Sequence, residues 1–572
     1  MRLDRLTTRF YCLLASLALL SAAHSTANEV SSEYGVVTSR SEFASKAGTQ
    51  MLAQGGNAVD AIVAAGFALA VTYPSAGNLG GGGFMVVRMA DGTTVTNDHR
   101  EMAPLAAYRD MFLDDDGEYD PAKALRSHLA SGVPGSAAGL LDVHERFGKL
   151  TREQVMSEAI RLASEGFQLP SDIARQIAGR KDLWLRTIGS RAKFLRDDGS
   201  SFEEGDLFVQ PDLAQTLMRI REYGRDGFYK GKTAELVVAE MKRGNGLISL
   251  KDLEDYETVW RDPINGSYRG FEIISMPPPS SGGVLLVQML NMLERFDLNS
   301  MGFANALTMH TMVEVERRAY ADRAVHLGDM DFYPVPVSSL IDKKYAVSRI
   351  QDINLEKSTS SLEISAGELP TPEESEETTH LSAIDSDGNA VAYTTTLNSG
   401  YGSGIVVEGA GFLLNNEMDD FSSKPGVPNQ FGLLGAEANA IEPRKRMLSS
   451  MTPTIVVSEN RPVLVTGSPG GSTIITTVLQ IVVNVIDHGM SISEAVTHPR
   501  FHHQWMPDAI TVETGGFEEE TADQLRSMGH EIRERRAIGD ANTAGWSEDS
   551  IIGVSDPRNQ GFASGLEAPP NN

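Results

Sequence analysis

Hydroxyl side chains gather in one stretch of this chain. Thr378 stands where an acidic run stops, and Thr394, Thr395, Thr396 and Asn398 follow a tight turn, Asp385-Ser386-Asp387-Gly388-Asn389. Leu381 and Ala383 before the turn, with Val391 and Tyr393 after it, keep the period of two that marks a β-hairpin. A threonine hydroxyl is a weak nucleophile until a base takes its proton, and a threonine that begins a strand is ordinarily structural. What singles out Thr378 is the segment before it. Residues 357–377, KSTSSLEISAGELPTPEESEE, hold two prolines, six glutamates and few large apolar side chains. They predict an exposed, mobile segment: either a loop between domains, or a linker ending at a cleavage point where a strand must begin. A second feature is Gly467-Ser468-Pro469-Gly470-Gly471-Ser472 ahead of the apolar run TIITTVLQIVVNVIDH. A glycine turn that feeds a helix start presents free backbone N–H groups, suited to an anion or oxyanion.

The elements around these residues are legible. Asn57 caps an apolar helix, with Asp60 at its third position. Gly80-Gly81-Gly82-Gly83 then leads into a strand, FMVVRMA; without a following Lys-Ser/Thr or a helix, the run does not fit a phosphate loop. From about 134 to 260 the apolar spacing is helical, and Met276-Pro277-Pro278-Pro279-Ser280-Ser281-Gly282-Gly283 breaks the chain before another apolar helix. Thr454–Thr466 reads as a second hairpin.

Composition narrows the function classes. A net charge of −27 across 572 residues argues against nucleic acid or an anionic membrane as partner. Residues 1–27 read as a cleavable signal: Arg2, Arg5 and Arg9, then an apolar run too short for a comfortable membrane span, then Ser25-Thr26-Ala27. An uncleaved anchor is the alternative. Cys12, the only cysteine, lies inside that segment, so the mature chain would hold neither a thiol nucleophile nor a thiolate metal site. Export to a periplasm or the exterior fits such a chain.

Six motifs, taken in order, resemble those of the γ-glutamyltranspeptidases. They are Asp98-His99-Arg100-Glu101-Met102-Ala103-Pro104, the Met276–Gly283 run, Thr378-Thr379-His380, Asn415-Asn416-Glu417-Met418-Asp419-Asp420-Phe421, Ser449-Ser450-Met451-Thr452-Pro453-Thr454 and the Gly467–Ser472 turn. The likeness runs from about residue 34 to Arg558. It implies an α+β fold, the four-layer αββα sandwich of the N-terminal nucleophile hydrolases, with no cofactor and no metal. It also implies a proenzyme that cuts itself between Glu377 and Thr378. The large fragment, 28–377, and the small one, 378–572, would form a heterodimer.

That cut would make chemical sense. An α-amine, with a pKa of about 7.7–8.0, can take the proton of the Thr378 hydroxyl, and it exists only once the preceding peptide bond is broken. The resemblance assigns Thr378 as nucleophile, Thr396 as its hydrogen-bonding partner, and the Gly470 and Gly471 N–H groups as oxyanion hole. Arg100, Ser449 and Ser450 would take the carboxylate of a glutamyl head. Glu417 and Asp420 would take its ammonium, with Asn398 adding a hydrogen bond. The implied substrates are glutathione and other γ-glutamyl compounds, with water, an amino acid or a dipeptide as acceptor.

One position departs from the bacterial pattern. Pro428-Asn429-Gln430-Phe431-Gly432 has phenylalanine where lidded relatives carry a tyrosine that latches to Asn398, which predicts a looser lid. Two other readings compete: an acylase for glutaryl-type side chains, in which Asp420 would lack a partner, and a non-catalytic γ-glutamyl-binding protein. His502-His503 reads as structural rather than metal-ligating, and His530-Glu531 lacks the second histidine of a zinc-protease helix.

Overall fold

The structure, a computed structural model, describes residues 28–366, 378–422 and 437–570. The signal-like segment 1–27, Glu377 and Phe431 with its surrounding lid lie outside the described residues.

Two seven-stranded sheets lie at the centre. One runs 28–32, 550–555, 542–547, 461–466, 454–458, 271–275, 264–268; the other runs 562–565, 35–39, 379–385, 390–396, 82–88, 94–99, 259–261. Each sheet mixes strands from both sides of residue 377. Their facing sides form a dry layer, with Val36, Val86, Ile384, Ala390 and Ala392 against Ile274, Ile455, Val465, Ala544 and Ile551. The outer face of the second sheet, including Val37, Val87, Leu381, Ala383, Val391 and Tyr393, is covered by helices such as Ala58–Thr72, Ser136–Phe147 and Arg152–Glu165. The first sheet is covered by Gly282–Leu293, Ala306–His326 and Thr473–Ile486. Helix, sheet, sheet, helix is the four-layer sandwich expected, and neighbouring residues such as Val86 and Val87 serve opposite layers because strand side chains alternate.

The hairpin Thr379–Asp385/Ala390–Thr396 occupies the middle of the second sheet and is buried throughout. Its turn is anchored sideways as well as locally. Asp385 Oδ1 accepts from Asp387 N and Asn389 N, while Oδ2 accepts from Ala58 N at 2.9 Å, the first turn of the Asn57-capped helix. That helix start carries the expected capping box between Asn57 and Asp60.

The expectation that 357–377 is exposed holds at Lys357, Leu362, Glu363 and Ser365 and fails at Ser361, Ile364 and Ala366. Ile364 and Ala366 are buried in the helical core, and Trp505 Nε1 donates to both Ser361 O, at 2.9 Å, and Ile364 O, at 3.0 Å. Ser361 N donates to Asp508, and Thr359 N to Glu314 on the helix Ala306–His326. The polar composition misled because these backbone groups are satisfied by side chains distant in sequence, Trp505, Asp508 and Glu314. Among the described residues no helix is long and apolar enough to cross a membrane.

Candidate active site

The strand register brings the threonines to different places. Thr379 pairs with Thr395, so Thr378 stands one step further out, opposite Thr396, where the hairpin opens. Thr394 Oγ1 meets the His380 ring at 2.8 Å inside the sandwich, and burial holds that imidazole neutral, its pKa lowered to about 3. Thr395 Oγ1 donates to Gly82 O and accepts from Asn78 Nδ2. Only Thr396 turns toward the cavity that Thr378 lines. The glycine run proves to be a close-approach device: a Cβ on Gly81 would stand 2.0 Å from Thr396 O.

That cavity, about 20 Å³, is bounded by Arg100, Thr378, Thr396, Asn398, Glu417, Asp420, Ser449, Ser450, Met451, Gly471 and Ile474. At its base the Arg100 guanidinium spreads over two carboxylates, Nη1 to Glu417 and Nη2 to Asp420, and donates to Met447 O and Leu448 O at 3.3 and 3.2 Å. A third carboxylate, Glu101, lies 3.6 Å from Nη1. One guanidinium cannot balance three buried anions, so burial lifts the Glu101 carboxyl to about 7 and the Glu417 carboxyl well above its ordinary value. Glu417 Oε2 and Ser450 Oγ are buried without a hydrogen-bond partner among the described residues. Buried polar atoms left so are rare.

The opposite wall is the glycine turn. Gly470 and Gly471 have φ of +133° and +58°, and Thr473 N and Ile474 N bond back to their carbonyls. Among the described residues neither glycine N–H donates a hydrogen bond. Gly471 lines the small cavity, whereas Gly470 faces a second and larger one that also touches Thr378. The turn's carbonyl side is tied down, with Tyr320 OH donating to Ser472 O and Ser472 Oγ to Gln504.

Arg100, Thr378, Thr396, Asn398, Glu417, Asp420, Ser449, Ser450 and Gly471 line this cavity and Gly470 the adjoining one; Glu377 and Phe431 lie outside the described residues. Among the described residues no hydrogen bond joins the Thr378 and Thr396 hydroxyls; Thr396 Oγ1 accepts from Asn398 N at 2.8 Å. Asn398 holds a positive φ of 71° and gives its amide to Asn416 O at 2.9 Å. Glu101, Met451 and Ile474 were missed, although the first two lie inside quoted motifs. Of the histidines, His502 bridges Thr476 and Gln504, and His503 meets Asp508. His310, Glu314 and His530 lie within 4.8 Å of one another, yet the two rings bond to each other and Glu314 is committed to Arg317 and Arg318.

The family model for gamma-glutamyltranspeptidase matches residues 44–566. This chain belongs to the γ-glutamyltranspeptidase family. A glutathione hydrolase proenzyme of Escherichia coli (strain K12) is 49% identical over 530 residues, covering 92% of this chain and 91% of the relative. Among solved structures, Helicobacter pylori gamma-glutamyltranspeptidase is 43% identical over 58% of this chain and 95% of its own, with a TM-score of 0.57. A cephalosporin acylase from Bacillus halodurans superposes with a TM-score of 0.82 at 25% identity, covering 95% of this chain and 97% of that one. The family's fold is therefore that of the N-terminal nucleophile hydrolases, in agreement with the two-sheet sandwich.

Proposed function

We propose that this chain is a proenzyme that cuts itself before Thr378 and then hydrolyses or transfers the γ-glutamyl group of glutathione and related amides. The observation that carries the reading is convergence. A strand-initial threonine, the Gly471 end of a glycine turn whose two N–H groups donate no hydrogen bond among the described residues, and an arginine between two carboxylates border one small cavity.

In the first step the Thr378 hydroxyl attacks the Glu377 carbonyl, the acyl group shifts from nitrogen to oxygen, and water opens the ester. This frees the Thr378 α-amine. In catalysis that amine accepts the hydroxyl proton as Oγ1 adds to the substrate's γ-carbonyl. The N–H groups of Gly470 and Gly471 receive the developing oxyanion, each such donor being worth about 2.7–4 kcal/mol. The departing amine takes the proton, and water or an amino acid or dipeptide amine then opens the γ-glutamyl ester on Thr378.

The glutamyl head carries the same two charges as the residues around it. Its carboxylate would replace Glu417 or Asp420 on the Arg100 fork with Ser449 and Ser450 beside it, and its ammonium would take up the carboxylates so released. Ser450 Oγ and Glu417 Oε2 then gain the partners they lack. After the cut the fragments 28–377 and 378–572 would stay together as a heterodimer, since each sheet is built from strands of both. Residues 1–27 would direct export to the periplasm or beyond.

The acylase reading draws on the cephalosporin acylase likeness, but a glutaryl group has no ammonium for Glu417 and Asp420. A non-catalytic binder would need neither the unengaged glycine N–H groups nor a cleavage point. Denaturing mass analysis tests the first step: two fragments meeting at 377/378, replaced by one intact chain in Thr378→Ala. Release of 4-nitroaniline from γ-glutamyl-4-nitroanilide, with and without glycylglycine, tests the second. An uncut chain with full amidase activity would overturn the mechanism.

A further inference from the structure

The run Met276–Gly283 lines neither cavity at Thr378, yet it holds the wall of the small one. Ser449 and Ser450, which do line it, sit in a stretch that is neither helix nor strand, so no regular element aims their hydroxyls. Side chains fix the stretch instead, for every carbonyl from Met447 to Met451 accepts from one. Arg100 donates to Met447 O and Leu448 O at 3.3 and 3.2 Å. Ser281 Oγ donates to Ser449 O at 2.8 Å, Thr452 Oγ1 to Ser450 O at 2.7 Å and Ser280 Oγ to Met451 O at 2.6 Å.

Ser280 and Ser281 thus grip the carbonyls on either side of Ser450, and both serines are buried. Their backbone joins in: Ser281 N donates to Ser449 O at 2.7 Å, and Ser449 N to Pro279 O at 2.9 Å. Ser281 stands at the N-cap of the helix Gly282–Leu293, where a serine side chain ordinarily accepts from a helix N–H, but it makes no such bond. Its oxygen accepts instead from Arg323 Nε at 2.9 Å, on the helix Ala306–His326, while its proton goes to Ser449 O. The outcome shows at the cavity. Ser449 Oγ accepts from Met451 N at 3.2 Å and keeps its proton to donate, and Ser450 Oγ has no partner among the described residues. Two hydroxyls are presented to one space.

Building on the proposed γ-glutamyl chemistry, we infer that Ser280 and Ser281 are positioning residues for the substrate's α-carboxylate: they fix the backbone from which Ser449 and Ser450 donate to it. They touch neither the substrate nor the reacting bond. A buried carbonyl released from its serine would turn to find another donor, and the neighbouring hydroxyls would turn with it. Ser280, Ser281 and Arg323 precede the proposed cut, whereas Ser449 and Ser450 follow it, so the small fragment takes the shape of its carboxylate site from the large one. The α-carboxylate is remote from the γ-carbonyl and is held alike before and during acyl transfer. Loosening that hold raises KM and spares kcat.

The test is steady-state hydrolysis of γ-glutamyl-4-nitroanilide by the full protein. Ser280→Ala and Ser281→Ala should each raise KM about tenfold, the size of one charge-assisted hydrogen bond, with kcat within about threefold of wild type. In a Ser449→Ala/Ser450→Ala background, which has no hydroxyls left to aim, neither substitution should lower kcat/KM further. A general loosening of the fold would lower it in both backgrounds. The two variants remove different contacts, so either carries the test if the other does not fold. KM unchanged in both, a loss confined to kcat, or an equal loss of kcat/KM in the two backgrounds would overturn the inference. So would failure of both variants to fold, which would make the motif purely structural. No 4-nitroaniline from the wild type would instead sink the γ-glutamyl reading, and this inference with it.

Discussion

Glu101 Oε2 lies 3.6 Å from Arg100 Nη1, buried, without a hydrogen bond among the described residues. Arg100 is already spread over Glu417 and Asp420, so Glu101 is held close to a cation that has little left to offer it. Its carboxyl is pushed up to about 7 by burial. The native state therefore keeps a proton there that the unfolded chain sheds near 4.5, and this group's contribution to stability falls as pH rises from about 4.5 to about 7. Glu101→Gln cannot titrate. Its melting temperature relative to wild type should be more favourable at pH 8 than at pH 5, by on the order of a few °C in scanning calorimetry. An equal offset at both values would exclude a raised Glu101 pKa.

Asp420→Asn keeps the shape of the site and removes one charge. On the proposed assignment, kcat/KM for γ-glutamyl-4-nitroanilide should drop on the order of 10²-fold, as when a buried charge pair loses one member. Glutaryl-4-nitroanilide, which lacks the ammonium, should lose much less. Equal losses on both substrates would mean that Asp420 acts only by fixing Arg100.

Gly470 holds φ +133°, and a Cβ there would stand 2.3 Å from Thr473 Oγ1. Gly470→Ala must rotate the turn and its N–H groups. The expected result is a fall in kcat of about 10²–10³-fold, the size of a lost oxyanion donor, with KM within a few-fold of wild type. A change confined to KM would remove the oxyanion role from this turn.

Trp505 ties down residues 361 and 364 through a single indole N–H. Trp505→Phe keeps most of the packing and loses that donor, which should cost about 1–2 kcal/mol. Limited proteolysis followed by mass spectrometry should then show faster cutting within 357–366. An unchanged cleavage pattern there would mean the core contacts of Ile364 and Ala366 suffice.

Much of this protein was legible along the chain because the controlling physics is local. The turn at Asp385–Asn389, the Asn57 cap and the break at Gly467–Ser472 depend on residues a few positions apart, and each stands where the residue types require. The motifs also marked Arg100, Thr378, Asp420 and Gly471 as residues to be brought together, and they line one cavity. Tertiary structure alone decided the rest. The anchoring of 359–364, with Ser361 and Ile364 buried, depends on Trp505, Asp508 and Glu314, far away in sequence, so composition read it as exposed. That Thr396 Oγ1 serves Asn398 N, and that three carboxylates crowd one guanidinium, follow from side-chain distances no spacing encodes. The second cavity is the clearest case: Arg180, Asp540 and Thr378 belong to no common motif, and only the stacking of helices on both sheets places them around one space.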